Sequence, residues 1–243
     1  MGIGGFIVTG SAPKQVLLRA IGPSLIPSGI ANALADPVLE LHGPPGFATI
    51  INDNWKDNQE VEIFATGAAP GNDLESAILA TLAPGNYTAI LAGKNSTTGG
   101  ALVEVYDLGT SATSKLVNLS TRAFCGTGSN IVIAGFILGN NGGSDRIVVR
   151  GLGPSLGAAG VPNVLADPVL ELRNGNGVLL VSNNDWQDNP VQASELIAAG
   201  LAPTNDLESA IAATLPPGIY TALLAGLNDG TGIGLVELYD LAP

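Results

Sequence analysis

Residues Leu34–Leu41 read Leu-Ala-Asp-Pro-Val-Leu-Glu-Leu, and the same eight residues return at Leu165–Leu172. Asn72–Ile78 (NDLESAI) returns unchanged at Asn205–Ile211. Outward from these identities the match continues. GGFIVTG at Gly4–Gly10 is echoed by AGFILGN at Ala134–Asn140, and LLRAIGPSL ending at Leu25 by VVRGLGPSL ending at Leu156. NDNWKDN at Asn52–Asn58 becomes NNDWQDN at Asn183–Asn189, APGNYTAILAG becomes PPGIYTALLAG, and LVEVYDL becomes LVELYDL. The period is about 131 residues, too long for a solenoid and right for a duplicated domain.

Within each copy the apolar pattern has the period of strands. Val169–Arg173, then Asn174-Gly175-Asn176-Gly177, then Val178–Ser182 predicts a hairpin, because the central residues tolerate positive φ between two β-prone runs. In the first copy His42-Gly43-Pro44-Pro45-Gly46 stands at that turn. Tyr87–Gly93 and Leu102–Tyr106 predict a second antiparallel pair, with Leu102, Glu104 and Tyr106 on one face and Val103 and Val105 on the other. Only Gln59–Thr66 and Val191–Ala199 read as helices, and GLGPSLG reads as a turn. The expected fold is all-β: two tandem β-sandwich, jelly-roll-like domains related by internal duplication. The first spans residues 1–110 and is expected to lack an N-terminal strand, a linking strand falls in 111–130, and the second spans 131–243.

Composition agrees with such a fold. Hydrophobic residues make up 46% and charged residues 12%, which excludes disorder. With 5% aromatics the core must be built from Val, Ile, Leu and Ala. Lys and Arg number 9 against 21 Asp and Glu, a formal net charge of −12, so a phosphate backbone would be repelled and nucleic acid is excluded as a partner. No apolar run approaches the roughly 18 residues of a membrane span, so no insertion is expected, and no signal peptide is visible at Met1. The single Cys125 excludes an intramolecular disulfide and reads as a small buried hydrophobe.

The segment SKLVNLSTRAFCGTGSN, Ser114–Asn130, has no second copy. Leu116, Val117, Leu119, Thr121 and Phe124 form its strand-like core and are the candidate assembly strand. If that strand pairs within the second module, the first lacks an edge partner; if within the first, the second does. An open edge exposes N–H and C=O groups that accept a strand from another chain, so head-to-tail association, up to a fibre, is expected. The alternative is a stretch of a longer repeat array, or a mere linker beside edges that charge or loops already cap.

Catalysis is not expected. The only histidine, His42, sits in a turn and becomes Arg173 in the other copy, and no Ser–His–Asp or Cys–His set can be assembled in both modules. The acidic turns are more informative. Asn52, Asp53, Asn54 and Asp57 gather hard oxygen donors around Trp55, and Asn183, Asn184, Asp185 and Asp188 repeat this around Trp186. Asp73 and Glu75, with Asp206 and Glu208, would complete a site if the loops converge, and calcium is the cofactor such oxygens take. Alternatively the Asp and Asn side chains cap turns. Trp55 and Trp186 are the candidate ligand-binding residues, as platforms for carbohydrate. The structural reading has each indole packed against the sandwich with its N–H on a carbonyl. Arg19 and Arg150 are expected to pair with acidic neighbours such as Asp36 and Asp167.

DPVLELRNGNGVLLVSNNDW followed by LPPGIYTALLAG resembles the bacterial pre-peptidase C-terminal domain. That family comprises β-sandwich modules appended to secreted proteases and other exported proteins, some of whose relatives bind calcium or collagen. The resemblance covers the hairpin-to-C-terminal part of each copy and not FIVTGSAPKQVLLRAIGPSL. It implies an extracellular or cell-surface location and no catalysis. The expected function is a structural module that self-associates or binds another extracellular protein. The alternative is an accessory module binding carbohydrate or protein through the acidic loops, Trp55 and Trp186.

Overall fold

Alternating apolar residues build two sets of antiparallel sheets. The computed structural model describes residues 1–109, 113–139 and 143–241. It divides into two compact units, Met1–Val117 and Asn118–Pro243.

In the first unit the strands are β1 (Gly2–Gly10), β2 (Lys14–Ile21), β3 (Pro37–His42), β4 (Ile50–Asn52), β5 (Ser76–Leu82), β6 (Gly85–Gly93) and β7 (Leu102–Asp107), with a helix α1 (Glu60–Ala65). One sheet runs β1-β6-β3-β4 and the other β5-β2-β7. Phe6, Val8, Leu39, Leu41, Ala89 and Leu91 are buried from the first sheet, and Val16, Leu18, Ile78 and Leu82 from the second. Leu17, on the opposite face of β2, packs with Trp55, Ile63 of α1 and Ala77. The central strand is therefore covered on both faces, which is why Val16-Leu17-Leu18 is a continuous apolar run.

In the second unit, strand β8 (Ser114–Cys125) enters from the unit boundary, followed by β9 (Val132–Leu138), β10 (Asp145–Leu152), α2 (Pro154–Ala158), β11 (Pro168–Asn174), β12 (Leu179–Asn183), α3 (Pro190–Ala198), β13 (Ser209–Leu215), β14 (Gly218–Gly226) and β15 (Gly232–Asp240). The sheets run β12-β11-β14-β9 and β13-β10-β15-β8. One core joins them, with Phe136, Leu170, Leu172, Tyr220 and Leu224 from the first and Cys125, Ile147, Val149, Ile211 and Val236 from the second. Val148 faces outward and packs with Trp186, Ala193 and Leu196 beneath α3. Pairings recur at corresponding positions: Val38 stands opposite Ala92 and Val169 opposite Ala225.

The Pro-Gly-x-Tyr segments launch β6 and β14. Each tyrosine hydroxyl donates to the carbonyl four residues earlier, Tyr87 to Ala83 at 2.9 Å and Tyr220 to Pro216 at 2.8 Å. Their rings stack on Phe6 and Phe136 with centroids 5.5 Å apart.

Three expectations are corrected. Tyr87–Gly93 and Leu102–Tyr106 do not pair: β6 lies between β1 and β3, and β7 pairs with β2 in the other sheet. Alternation reports which face a residue takes, not which strand lies beside it. GLGPSLG is more than a turn, since Pro154–Ala158 forms a helical turn, with proline tolerated where no N–H partner is required. His42 is the last residue of β3 instead of a turn residue, and its Nε2 lies 2.9 Å from Glu40 two positions earlier on the same face. The linking strand could serve either module by sequence; from Asn118 to Cys125, β8 is hydrogen-bonded along β15.

Candidate functional site

Asn52 closes β4 as a buried amide. Its Oδ1 accepts from the Ala77 N–H at 2.9 Å and its Nδ2 donates to the Asn54 carbonyl at 2.9 Å. Asn183 repeats this with Ala210 at 2.8 Å and Asp185 at 2.9 Å. These two candidate metal ligands act as backbone mimics that hold the acidic loop against the edge strand.

In the first unit the loop's carboxylates are met by ammonium groups. Lys94 Nζ lies 2.5 Å from Asp53 Oδ2 and 3.6 Å from Asp36 Oδ2, and Lys56 Nζ lies 2.7 Å from Asp73 Oδ1. Hydrogen bonds to Asp53 and Asp73 raise the pKa of Lys94 and Lys56 respectively. Asn54 Nδ2 donates to Asp57 Oδ2 at 3.3 Å.

In the second unit Leu227 and Gln187 stand where the repeat places Lys94 and Lys56. Gln187 Nε2 donates to Asp206 Oδ1 at 3.1 Å. Burial raises the Asp185 carboxyl above its ordinary range, helped by the charges of Asp188, Asp167 and Asp206. The Oδ1 atoms of Asp167, Asn184 and Asp185 are shut off from solvent without a hydrogen-bond partner, as are those of Asp36, Asp53 and Asn54 in the first unit. Among the described residues no group of three or more His, Cys, Asp or Glu is placed to hold a metal ion.

Glu75 and Glu208 do not join these clusters. Each is fully buried under the Gly-Pro-Ser turn of its unit. Glu75 accepts from the N–H groups of Gly22 at 3.1 Å, Ser24 at 2.8 Å and Asn72 at 3.1 Å, and from the Ser24 hydroxyl at 2.8 Å. Glu208 accepts from Gly153 at 3.0 Å, the Ser155 N–H at 2.9 Å and its hydroxyl at 2.5 Å. The identical NDLESAI segments thus supply the acceptor for the repeated GPSL turn, a link that sequence spacing alone does not show.

Trp55 and Trp186 are 5% and 6% exposed, packed beneath α1 and α3. Neither indole N–H has an acceptor among the described residues, so the expected bond to a carbonyl is not made. Trp55 also contributes to an open, largely apolar hollow with Phe64, Gly67, Ala69 and Pro70. The arginines pair with partners other than those expected. Arg19 Nε donates to Glu104 at 2.8 Å, and Arg150 Nε to Glu237 at 2.9 Å, instead of to Asp36 and Asp167. Their guanidinium carbons stand 4.9 and 5.2 Å from the ring centroids of Tyr106 and Tyr239. Arg, Glu and Tyr share the outer face of neighbouring strands, a cross-strand cluster that the alternation of LVEVYDL implies once β7 is beside β2.

The sheet edges differ most between the units. The outer edge of β5 is capped by side chains: besides Asn52 on Ala77, Gln59 both donates to the Leu79 carbonyl at 3.0 Å and accepts from its N–H at 3.1 Å. Gln192 treats β13 similarly, donating to Ala210 at 2.8 Å and accepting from Ala212 at 3.0 Å. β15 is covered by β8. Among the described residues β7 pairs only with β2 and ends its sheet. Of the candidate assembly residues, Leu119, Thr121 and Phe124 stand opposite Leu238, Val236 and Ile233, while Leu116 and Val117 precede that ladder.

No family model matches the chain, and no curated protein matches it. Among solved structures, the crystal structure of the STIV MCP aligns with a TM-score of 0.27 and 14% identity over 99% of this chain and 91% of that one. An atomic structure of Sulfolobus Turreted Icosahedral Virus aligns at 0.27 with 13% identity over 97% and 85%. PNGF-II aligns at 0.24 with 10% identity over 95% and 57%. Likeness at this level carries no argument about what this protein does.

Proposed function

We propose that this protein is a non-catalytic, extracellular structural protein, a duplicated β-sandwich module that associates head-to-tail by adding strands to open sheet edges. One observation carries the reading: among the described residues no strand lies beside the outer edge of β7, while the corresponding β15 is covered by β8. Open edges are aggregation templates that monomeric β-proteins block, and the other margin of the same sheet is blocked by Asn52 and Gln59. Light scattering over a concentration series, with electron microscopy of the concentrated sample, tests it. Growth of mass with concentration is expected, and a strict monomer throughout would sink the proposal.

A second reading concerns the acidic loop of the second unit. Asp167, Asn184 and Asp185 present buried side-chain oxygens, and the ammonium found in the first unit is replaced by Leu227. Oxygen donors of this type suit calcium. A rise in melting temperature with calcium, reversed by a chelator and not matched by magnesium, supports this reading; an unchanged melting curve removes it.

A further inference from the structure

The open edge of β7 has a template for its occupant within the same chain. In the second unit, β15 receives β8 antiparallel, with Asn118 opposite Tyr239, Leu119 opposite Leu238, Thr121 opposite Val236 and Cys125 opposite Gly232. Under that strand Val236 and Leu238 are 1% and 9% exposed. The corresponding Val103 and Val105 of β7 are only half-buried, and Leu102 is 40% exposed. The two strands carry nearly the same sequence, LVEVYDL and LVELYDL. The difference in burial follows from the strand laid alongside, not from the residues of the strand itself.

Backbone polarity points the same way. The Leu108 N–H donates to the Gln15 carbonyl at 3.0 Å, so the residues in step with it, Leu102, Glu104 and Tyr106, turn their N–H and C=O groups toward β2. Val103 and Val105 then turn theirs outward. Among the described residues, no backbone group meets them there. In the second unit the outward C=O of Leu238 also accepts from Asn118 Nδ2 at 3.0 Å, so the occupant there contributes a side-chain bond as well as a ladder.

We infer that the β7 edge is a docking groove for an antiparallel strand with the residue pattern of Asn118–Cys125. One face carries Leu, Thr, Ala and Cys at every second residue, and the other Asn, Ser, Arg and Phe. The leucine seats against Val105 and the threonine against Val103. Asparagine precedes that leucine and bonds the Val105 carbonyl. In the second unit the small residues after it, Ala123 and Cys125, stand opposite Gly234 and Gly232. Such a strand lets Val103 and Val105 reach the burial of Val236 and Leu238. This inference rests on the open-edge reading above and names what the edge accepts.

The test uses the full chain and a synthetic peptide of sequence Asn118–Cys125 with Cys125→Ser, following backbone amide exchange residue by residue. At saturating peptide the Val103 and Val105 amides are expected to slow at least tenfold, while Leu102, Glu104 and Tyr106, already bonded to β2, change little. A peptide carrying Leu119→Asp is expected to lose this protection. Equal protection by a scrambled peptide, or no slowing at Val103 and Val105 while the peptide binds elsewhere or not at all, overturns the inference. Slowing that grows with chain concentration and is indifferent to the peptide overturns it also, because a different strand then occupies the edge. Protection in a strictly monomeric chain sinks self-association alone, and self-association without protection at these amides sinks the docking groove alone.

Discussion

The Lys94 ammonium stands 2.5 Å from Asp53 Oδ2, and the repeat places Leu227 where that lysine would stand in the second unit. The first acidic loop thus carries its own counter-charge at a position where the second has a leucine. Lys94→Leu should lower the melting temperature slightly, by about 1–3 °C, since the pair is partly solvated. Leu227→Lys should raise it and abolish any response to calcium. Thermal melts of both variants, with and without calcium, check this; a Leu227→Lys chain that still responds to calcium would place the cation elsewhere.

The Glu75 carboxylate should be among the least replaceable side chains. Glu75→Ala leaves the N–H groups of Gly22, Ser24 and Asn72 without their acceptor in a buried turn, a loss of about 3 kcal/mol or more. Glu75→Gln keeps the shape and should cost less. Urea unfolding separates the two, and equal costs would show that packing dominates over the carboxylate.

Tyr87→Phe removes one hydroxyl and leaves the ring stacked on Phe6. The expected loss is about 1 kcal/mol, the net worth of an ordinary hydrogen bond. Near-wild-type stability would mean that the turn at Ala83–Gly85 is held by its proline and glycine alone.

Stability should depend on pH through two carboxyls of opposite sign. Burial, then Asp188, Asp167 and Asp206, raises Asp185, so between the unfolded value near 3.8 and the higher folded value the folded chain binds more protons. Stability therefore falls as pH rises through that window, and Asp185→Asn should be more stable than the parent at neutral pH. The Arg146 guanidinium lowers Glu195, so this group adds stability as pH rises from its folded value toward 4.5. Glu195→Gln loses that gain at neutral pH and keeps pace with the parent in strong acid. Urea midpoints between about pH 3 and pH 7 measure both slopes.

Much of the local structure was legible in the sequence. Asn174–Gly177 marked the turn between β11 and β12, and Gln59–Thr66 and Val191–Ala199 marked α1 and α3 to within a residue or two. Alternation in LVEVYDL placed Val103 and Val105 on one face and Glu104 and Tyr106 on the other, where Arg19 meets them. Partners were not legible. Asp36 is an acidic neighbour of Arg19 in sequence, yet its partner is Glu104, which lies beside it across a strand pair separated by 85 residues. The acidic residues that could form a calcium cluster divide between partly buried loops and two carboxylates buried under the Gly-Pro-Ser turns, because charge and spacing say nothing about which loop a buried carboxylate faces.

The sequence alone established the strand-rich character, the aliphatic cores and the repetition, because each is written in periods of two residues or in outright identity. Which strands lie side by side, that Asn118–Cys125 runs along β15, and that no strand among the described residues lies outside β7 were decided only in three dimensions. Hydrogen-bonded ladders join residues about a hundred positions apart, and nearly identical strands can therefore end with one edge covered and the other bare.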